Sequence, residues 1–262
     1  MAKVTSKDGT SIGYETVGEG PLVVFVLGAT QYRGVDQSTP RLAQMLAESF
    51  TALLYDRRGR GESGNTEPFA VAREVEDIAA LIEANGGKAS LVGFSSGAVL
   101  AIEATAALGD RVERVIAYEP PINPAEPLEV ARAELEAMEA LKARGDGEAA
   151  MVRFMSTVGM PPEQLEGFKS SPAWPAFTAV GTTIAHDLRA VFEGRETGMP
   201  SRWRSATQPA LIVNGDRSYP FMAAGADAVA EALPDGRRVT LAGEDHGPRP
   251  EALAPIIRDF LP

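Results

Sequence analysis

The sequence predicts an α/β fold built on a mainly parallel sheet, and three observations carry that expectation. Short aliphatic runs alternate with helical patterns along most of the chain. Central runs such as Leu22–Leu27 and Ala210–Val213 are apolar at every residue, as strands covered on both sheet faces tend to be, whereas a half-exposed strand would alternate. One long interval, from 121 to 205, breaks the alternation with helical patterning alone.

Taken in order, Ala2–Thr5 and Ile12–Val17 read as an antiparallel opening hairpin around the turn Lys7–Asp8–Gly9. The aliphatic runs Leu22–Leu27, Thr51–Tyr55, Ser90–Phe94, Val112–Tyr118, Ala210–Val213 and Arg238–Leu241 complete an expected eight-stranded, mostly parallel sheet. Helical stretches over Thr39–Glu48, Val71–Asn85, Ser96–Leu108, Met222–Ala232 and Pro250–Phe260 supply layers for both of its faces. Within 121–205, Leu128, Ala131, Leu135, Met138 and Leu141 follow helical spacing, as do Phe177, Val180, Ile184, Leu188 and Val191. Gly145, Pro161–Pro162 and the run from Pro172 to Pro175 interrupt those helices. The expected organisation is a core from 1–120 and 206–262, with a helical cap, 121–205, inserted between the sixth and seventh strands.

Composition narrows the chemistry. The 262 residues contain no cysteine, which removes disulfides, thiolate nucleophiles and cysteine metal ligands. With His186 and His246 as the only histidines, a metal site is not expected. A formal net charge of −11 argues against a nucleic-acid partner. No run approaches the roughly 20 apolar residues that span a bilayer, and the first residues lack a secretory apolar core, so a cytoplasmic protein without a membrane partner is expected.

The residues that carry chemistry begin with Gly93–Phe94–Ser95–Ser96–Gly97. An aliphatic strand leads in and an alanine-rich helix leads out. A serine on such a sharp turn projects its hydroxyl above the sheet edge, while glycines on either side make room for the turning backbone. A serine nucleophile needs a base. His246, in a loop after the last strand, fits that role. His186, off the apolar stripe of its helix, reads as a solvated residue or one at a pocket mouth.

These features resemble the α/β-hydrolases. Asp56–Arg57–Arg58–Gly59–Arg60–Gly61–Glu62–Ser63 is similar to a segment common in that family, and Asp245–His246–Gly247 lies where the family carries its histidine. The resemblance covers nearly the whole chain. It implies an α/β-hydrolase fold and hydrolysis of esters or related acyl bonds, without a cofactor. Ser95 would be the nucleophile and His246 the base. The N–H groups of Ser96 and Ala29 would form the oxyanion hole, although the family's usual His-Gly is Leu27–Gly28 here. Asp56 and Arg58 are expected to fix a loop as a pair.

The acid departs from the family pattern. The usual position after the seventh strand holds Ser218. Glu119, ending the sixth strand, is the leading candidate, because haloalkane dehalogenases and certain lipases place the acid there. Asp216 is the alternative, and Glu244 and Asp245 sit too close to the histidine in sequence to orient it well. Gly28 and Phe94 beside the turn, with Met155 and Trp174 from the cap, are candidate pocket residues. Other cap residues, among them Met138, Met151, Phe154, Met160 and Phe177, are expected chiefly to pack between helices.

The expected activity is hydrolysis of a small or medium apolar acyl substrate, and a homodimer is compatible with the sequence. Perhydrolase, thioesterase and C–C hydrolase chemistry would use the same three residues. A non-catalytic small-ligand binder on the same scaffold is the rival from another class. Dehalogenation is disfavoured, because that chemistry requires a carboxylate where Ser95 stands.

Overall fold

The computed structural model describes residues 2–262. Its strands are β1 (Ala2–Thr5), β2 (Ser11–Val17), β3 (Leu22–Val26), β4 (Thr51–Tyr55), β5 (Ala89–Phe94), β6 (Val112–Tyr118), β7 (Ala210–Gly215) and β8 (Gly236–Leu241). They form one eight-stranded sheet in the order β1-β2-β4-β3-β5-β6-β7-β8. β2 runs antiparallel to both β1 and β4, and every other neighbouring pair is parallel.

The helices between β3 and β6 are α1 (Ser38–Leu46), α2 (Val71–Ala84) and α3 (Ser96–Leu108). The insert between β6 and β7 carries α4 (Leu128–Ala143), α5 (Gly147–Thr157), α6 (Pro162–Lys169), α7 (Trp174–Thr178), α8 (Ile184–Glu196) and α9 (Met199–Arg202). α10 (Met222–Ala232) and α11 (Pro250–Phe260) complete the chain.

Strand periodicity divides the core in two. Leu22, Val24 and Val26 face one way with Leu91, Val115 and Ile212, against α2, α3 and α10. Val23 and Phe25 face the other way with Val92, Ile116 and Val213, against α1 and α11. This is why β3 is apolar throughout, and β7 over Ala210–Val213: each of those residues enters one of the two layers. β8, at the sheet edge, is only partly covered.

The expected interruptions fall where the insert's helices break. α4 stops before Gly145, which takes φ +67°, and Asp146 then caps α5 by accepting the Ala149 N–H at 3.0 Å. The insert has its own apolar centre, with Met138, Met151, Met155, Trp174 and Ile184 buried together. No helix among the described residues is long and apolar enough to cross a membrane.

The register brings the chemistry to one edge. Phe94 pairs with Tyr118, and Tyr118 with Val213, so the chain leaves β5, β6 and β7 at neighbouring points on the carboxyl end of the sheet. Ser95, Glu119 and the loop after β7 start from there.

Candidate active site

Ser95 links β5 to α3 with φ +53° and ψ −127°, and its N–H donates to the Tyr118 carbonyl at 2.9 Å. The turn is too tight for side chains at its flanks. A Cβ on Gly93 would lie 2.5 Å from the Gly97 carbonyl oxygen, and one on Gly97 would lie 2.2 Å from that of Val26. Glu119 is also forced into positive φ, +47°, as it leaves β6, and Thr30 follows at +65°. These are the non-glycine residues at positive φ among the described residues; Ser95 and Glu119 leave neighbouring strands, and Thr30 lines the same cavity as Ser95.

Around Ser95 the side chains connect. His246 Nε2 is 3.1 Å from Ser95 Oγ, and His246 Nδ1 is 2.6 Å from Glu119 Oε2. Glu119 is fully buried; the Gly215 N–H donates to its Oε1 at 2.9 Å, and the Ser218 hydroxyl to its Oε2 at 2.6 Å. Burial opposes ionisation of this carboxyl, but the hydrogen bonds from His246, Ser218 and Gly215 outweigh it and hold its pKa below the ordinary glutamate value. A carboxylate on Nδ1 keeps the proton on that nitrogen and leaves Nε2 free to accept from the Ser95 hydroxyl. Tyr118 donates its hydroxyl to the Asp245 carbonyl at 2.5 Å, tying β6 to the histidine loop.

Asp216, the alternative acid, is not brought to the imidazole. It is exposed, and its Oδ1 accepts the Gly243 N–H at 2.6 Å. Ser218 stands where the family's acid was sought, and it serves Glu119 as a hydrogen-bond donor.

A cavity of about 900 Å³ opens between sheet edge and insert, and Ser95, His246, Ala29, Ser96 and Phe94 all line it. Gly28 does not. It lies under the Ser95 turn, where an added Cβ would sit 2.9 Å from the Ser95 Cβ, and its N–H donates to the Gln31 side chain at 3.0 Å. Met155 and Trp174 are also displaced from the expected wall. Met155 shares a face of α5 with Met151 and turns into the insert's centre, and Trp174 packs edge-on against Phe168, ring centroids 5.2 Å apart. On α5 it is Phe154, Thr157 and Val158, about 100° around the helix, that face the cavity. Leu188, Val191 and Phe192 of α8 and Tyr219 of the β7 loop join them.

Two further expectations need correction. Asp56 and Arg58 fix the loop, but with other partners: Asp56 holds Arg33 at 2.9 Å, and Arg58 holds Asp77 at 2.7 Å and Asp8 at 2.9 Å. His186 is neither solvated nor in the cavity wall. It is 1% exposed and lies parallel to the Phe69 ring at 3.7 Å. Burial, reinforced by Lys142, lowers its pKa to about 3.

Asp187, which the sequence did not single out, is 1% exposed and lines the cavity. Arg57 Nη1 and Arg60 Nη2 each approach its carboxylate to 2.5 Å, and the Ser96 hydroxyl donates to it at 2.7 Å. Burial raises its pKa, but Arg57 and Arg60 more than offset that and keep the group ionised. The hints were an acid beside an apolar stripe and three arginines within four residues, both ambiguous until folding joins them.

Among the described residues, no three acidic or histidine side chains gather as a metal site would require.

Comparison with known proteins supplies an independent view. The sequence pattern of the alpha/beta hydrolase family matches residues 23–256. A crystal structure of an alpha/beta hydrolase from Sphaerobacter thermophilus is 36% identical, with TM-score 0.83 over 100% of both chains. A thermophilic esterase from Thermogutta terrifontis shares the fold at TM-score 0.72 and 23% identity, over 99% of this chain and 97% of its own. Among curated proteins, the 2-(acetamidomethylene)succinate hydrolase of Mesorhizobium japonicum is 28% identical, covering 93% of this chain and 89% of its own.

Proposed function

The chain belongs to the alpha/beta hydrolase family, and from that premise we propose that it hydrolyses neutral carboxylic esters through a Ser95–His246–Glu119 triad, without a cofactor. The observation that carries this reading is the unbroken contact from Ser95 Oγ to His246 Nε2 at 3.1 Å and from His246 Nδ1 to Glu119 at 2.6 Å.

In the first half-reaction Ser95 Oγ adds to the ester carbonyl while its proton passes to His246 Nε2. The imidazolium is stabilised by Glu119, which stays ionised. The carbonyl oxygen, now negative, is received by the N–H groups of Ser96 and Ala29. Collapse expels the alcohol, which takes the proton from His246. Water then gives a proton to the same nitrogen as it attacks the acyl-enzyme, and collapse of this second adduct releases the acid while His246 returns the proton to Ser95 Oγ.

The cavity supports an apolar, uncharged acyl substrate. Phe94, Phe154, Leu188, Val191 and Phe192 supply apolar surface for it. The charged groups of the wall are already paired. Arg195 Nη1 lies 2.5 Å from Glu126, Glu134 holds Arg153 at 2.6 Å, and Asp187 holds Arg57 and Arg60. The similar Mesorhizobium enzyme is named for a succinate, whose carboxylates call for a cation. In this cavity Arg195 is committed to Glu126, which favours a neutral ester here.

Labelling with a fluorophosphonate tests the reading. Wild type is expected to take up one equivalent and Ser95→Ala none, with a matching loss of turnover on chromogenic nitrophenyl esters. A folded wild type that resists labelling overturns it in favour of a non-catalytic binder.

A further inference from the structure

The steps above leave Asp187 without a part, although a carboxylate buried this deeply must be held by partners of its own. Those partners form a pattern. Ser96, which donates to Asp187 at 2.7 Å, supplies one N–H of the oxyanion site in the proposed mechanism. The two arginines reach the segment that supplies the other. Arg57 Nη1 donates to the Leu27 carbonyl at 3.1 Å, and Arg60 Nη1 donates to those of Gly28 at 2.6 Å and Gln31 at 3.3 Å. Both arginines are themselves anchored, Arg57 by Glu74 at 2.6 and 2.9 Å and Arg60 by the Thr183 hydroxyl at 3.0 Å.

We propose that Asp187 is a positioning residue, which sets from insert helix α8 the spacing between Ser96 and the Leu27–Gln31 loop on which oxyanion binding depends. The inference rests on the ester-hydrolase reading and extends it, because it makes the oxyanion site a joint product of core and insert. A carboxylate lining the same cavity would by itself repel a developing oxyanion. Arg57 and Arg60 balance Asp187 and Glu74, so the group can fix geometry without adding net negative charge beside the reacting oxygen. The bond from Ser96 also pins a hydroxyl that would otherwise rotate next to the nucleophile.

Ser96→Ala is the informative variant, since it keeps the backbone N–H and removes only the tether to Asp187. On a nitrophenyl ester its kcat should fall about tenfold with KM nearly unchanged, less than the ~100-fold or greater loss of a whole oxyanion donor. Inhibition by an alkylboronic acid gives the second readout. Ser95 Oγ adds to boron, its proton passes to His246, and the tetrahedral boronate carries the negative charge. Its Ki should rise by the same factor by which kcat/KM falls, which a general loosening that raised KM alone would not produce. Asp187→Asn should show both effects more strongly; if it does not fold, Ser96→Ala decides by itself. A Ser96→Ala enzyme with wild-type kcat, or a lower kcat with unchanged boronate Ki, overturns the inference. Fluorophosphonate labelling of wild type separates the two levels. An unlabelled wild type removes the hydrolase reading and this inference with it, whereas a labelled wild type with unaffected Ser96→Ala removes the inference alone.

Discussion

Glu119 meets the imidazole because β6 delivers it, at positive φ, beside the strand that carries Ser95. Its three hydrogen bonds account for both of its oxygens. Replacing it with glutamine keeps the shape but removes the charge that balances the imidazolium. Glu119→Gln should therefore cut kcat by at least about 100-fold, judged by the cost of losing a triad acid elsewhere. Asp216→Asn should leave kcat within about twofold, since that side chain only holds the Gly243 N–H in an exposed loop. Steady-state kinetics on one ester would compare the two. His186 gives a prediction about stability. It stays neutral in the fold down to about pH 3, whereas the unfolded chain binds its proton near pH 6.5. The unfolded state then holds more protons between those values, so His186 costs stability as pH falls through that window, up to about 1.4 kcal/mol per pH unit. His186→Phe, stacked on Phe69 in the same way, should flatten the acid limb of a denaturation-versus-pH curve and leave pH 8 nearly unchanged.

Elements explain what could be read from sequence and what could not. Ser95 and His246 were legible because a strand, a tight turn and a helix are local patterns, and Glu119 followed once Ser218 was seen to hold the usual acid position. Met155 and Trp174 were misplaced for a different reason. One step along a helix turns a side chain about 100°, and sequence gives the apolar stripe of α5 but not which neighbour covers which part of it. Asp187 was illegible because Arg57 lies 130 residues away and Arg60 127, so nothing short of the fold joins them. Helix α8 combines both problems: Ile184 and Ala185 enter the insert's centre while Leu188, Val191 and Arg195 face the cavity. Its Arg195 is held by Glu126, on the segment leading into α4. Glu126→Gln keeps the bond from Arg195 Nη2 to the residue 126 carbonyl but removes the countercharge, leaving the guanidinium's charge available to an anionic substrate. Turnover of a hemisuccinate ester, relative to its neutral methyl ester, should rise about tenfold, the effect of roughly 1.4 kcal/mol of charge-assisted hydrogen bonding. An unchanged ratio would mean that Arg195 does not govern the charge preference.

At the scale of the molecule, the insert is fastened rather than simply laid on the sheet. α8 packs on α3, with Gly194 close against Val99 and Trp203, and Asp187 adds its buried ion pairs to the core's arginines. α6, by contrast, buries only Leu165 along its length. Amide hydrogen exchange should therefore show α8 protected nearly as long as α3, while α6 exchanges earlier through local opening. Tyr219, in the wall of the cavity, is by contrast 37% exposed. The four charges beneath the proposed oxyanion site have one more consequence. Arg57, Arg60, Glu74 and Asp187 are each 1 or 2% exposed, so dissolved ions cannot come between them. Bridges such as Arg41–Glu251, with both side chains open to water, lie within reach of the ionic atmosphere, whose screening length shrinks from ~30 Å to ~3 Å between 0.01 and 1 M salt. Turnover of a neutral ester should thus stay level across that range of ionic strength, its electrostatics sealed off from the solution that surrounds them.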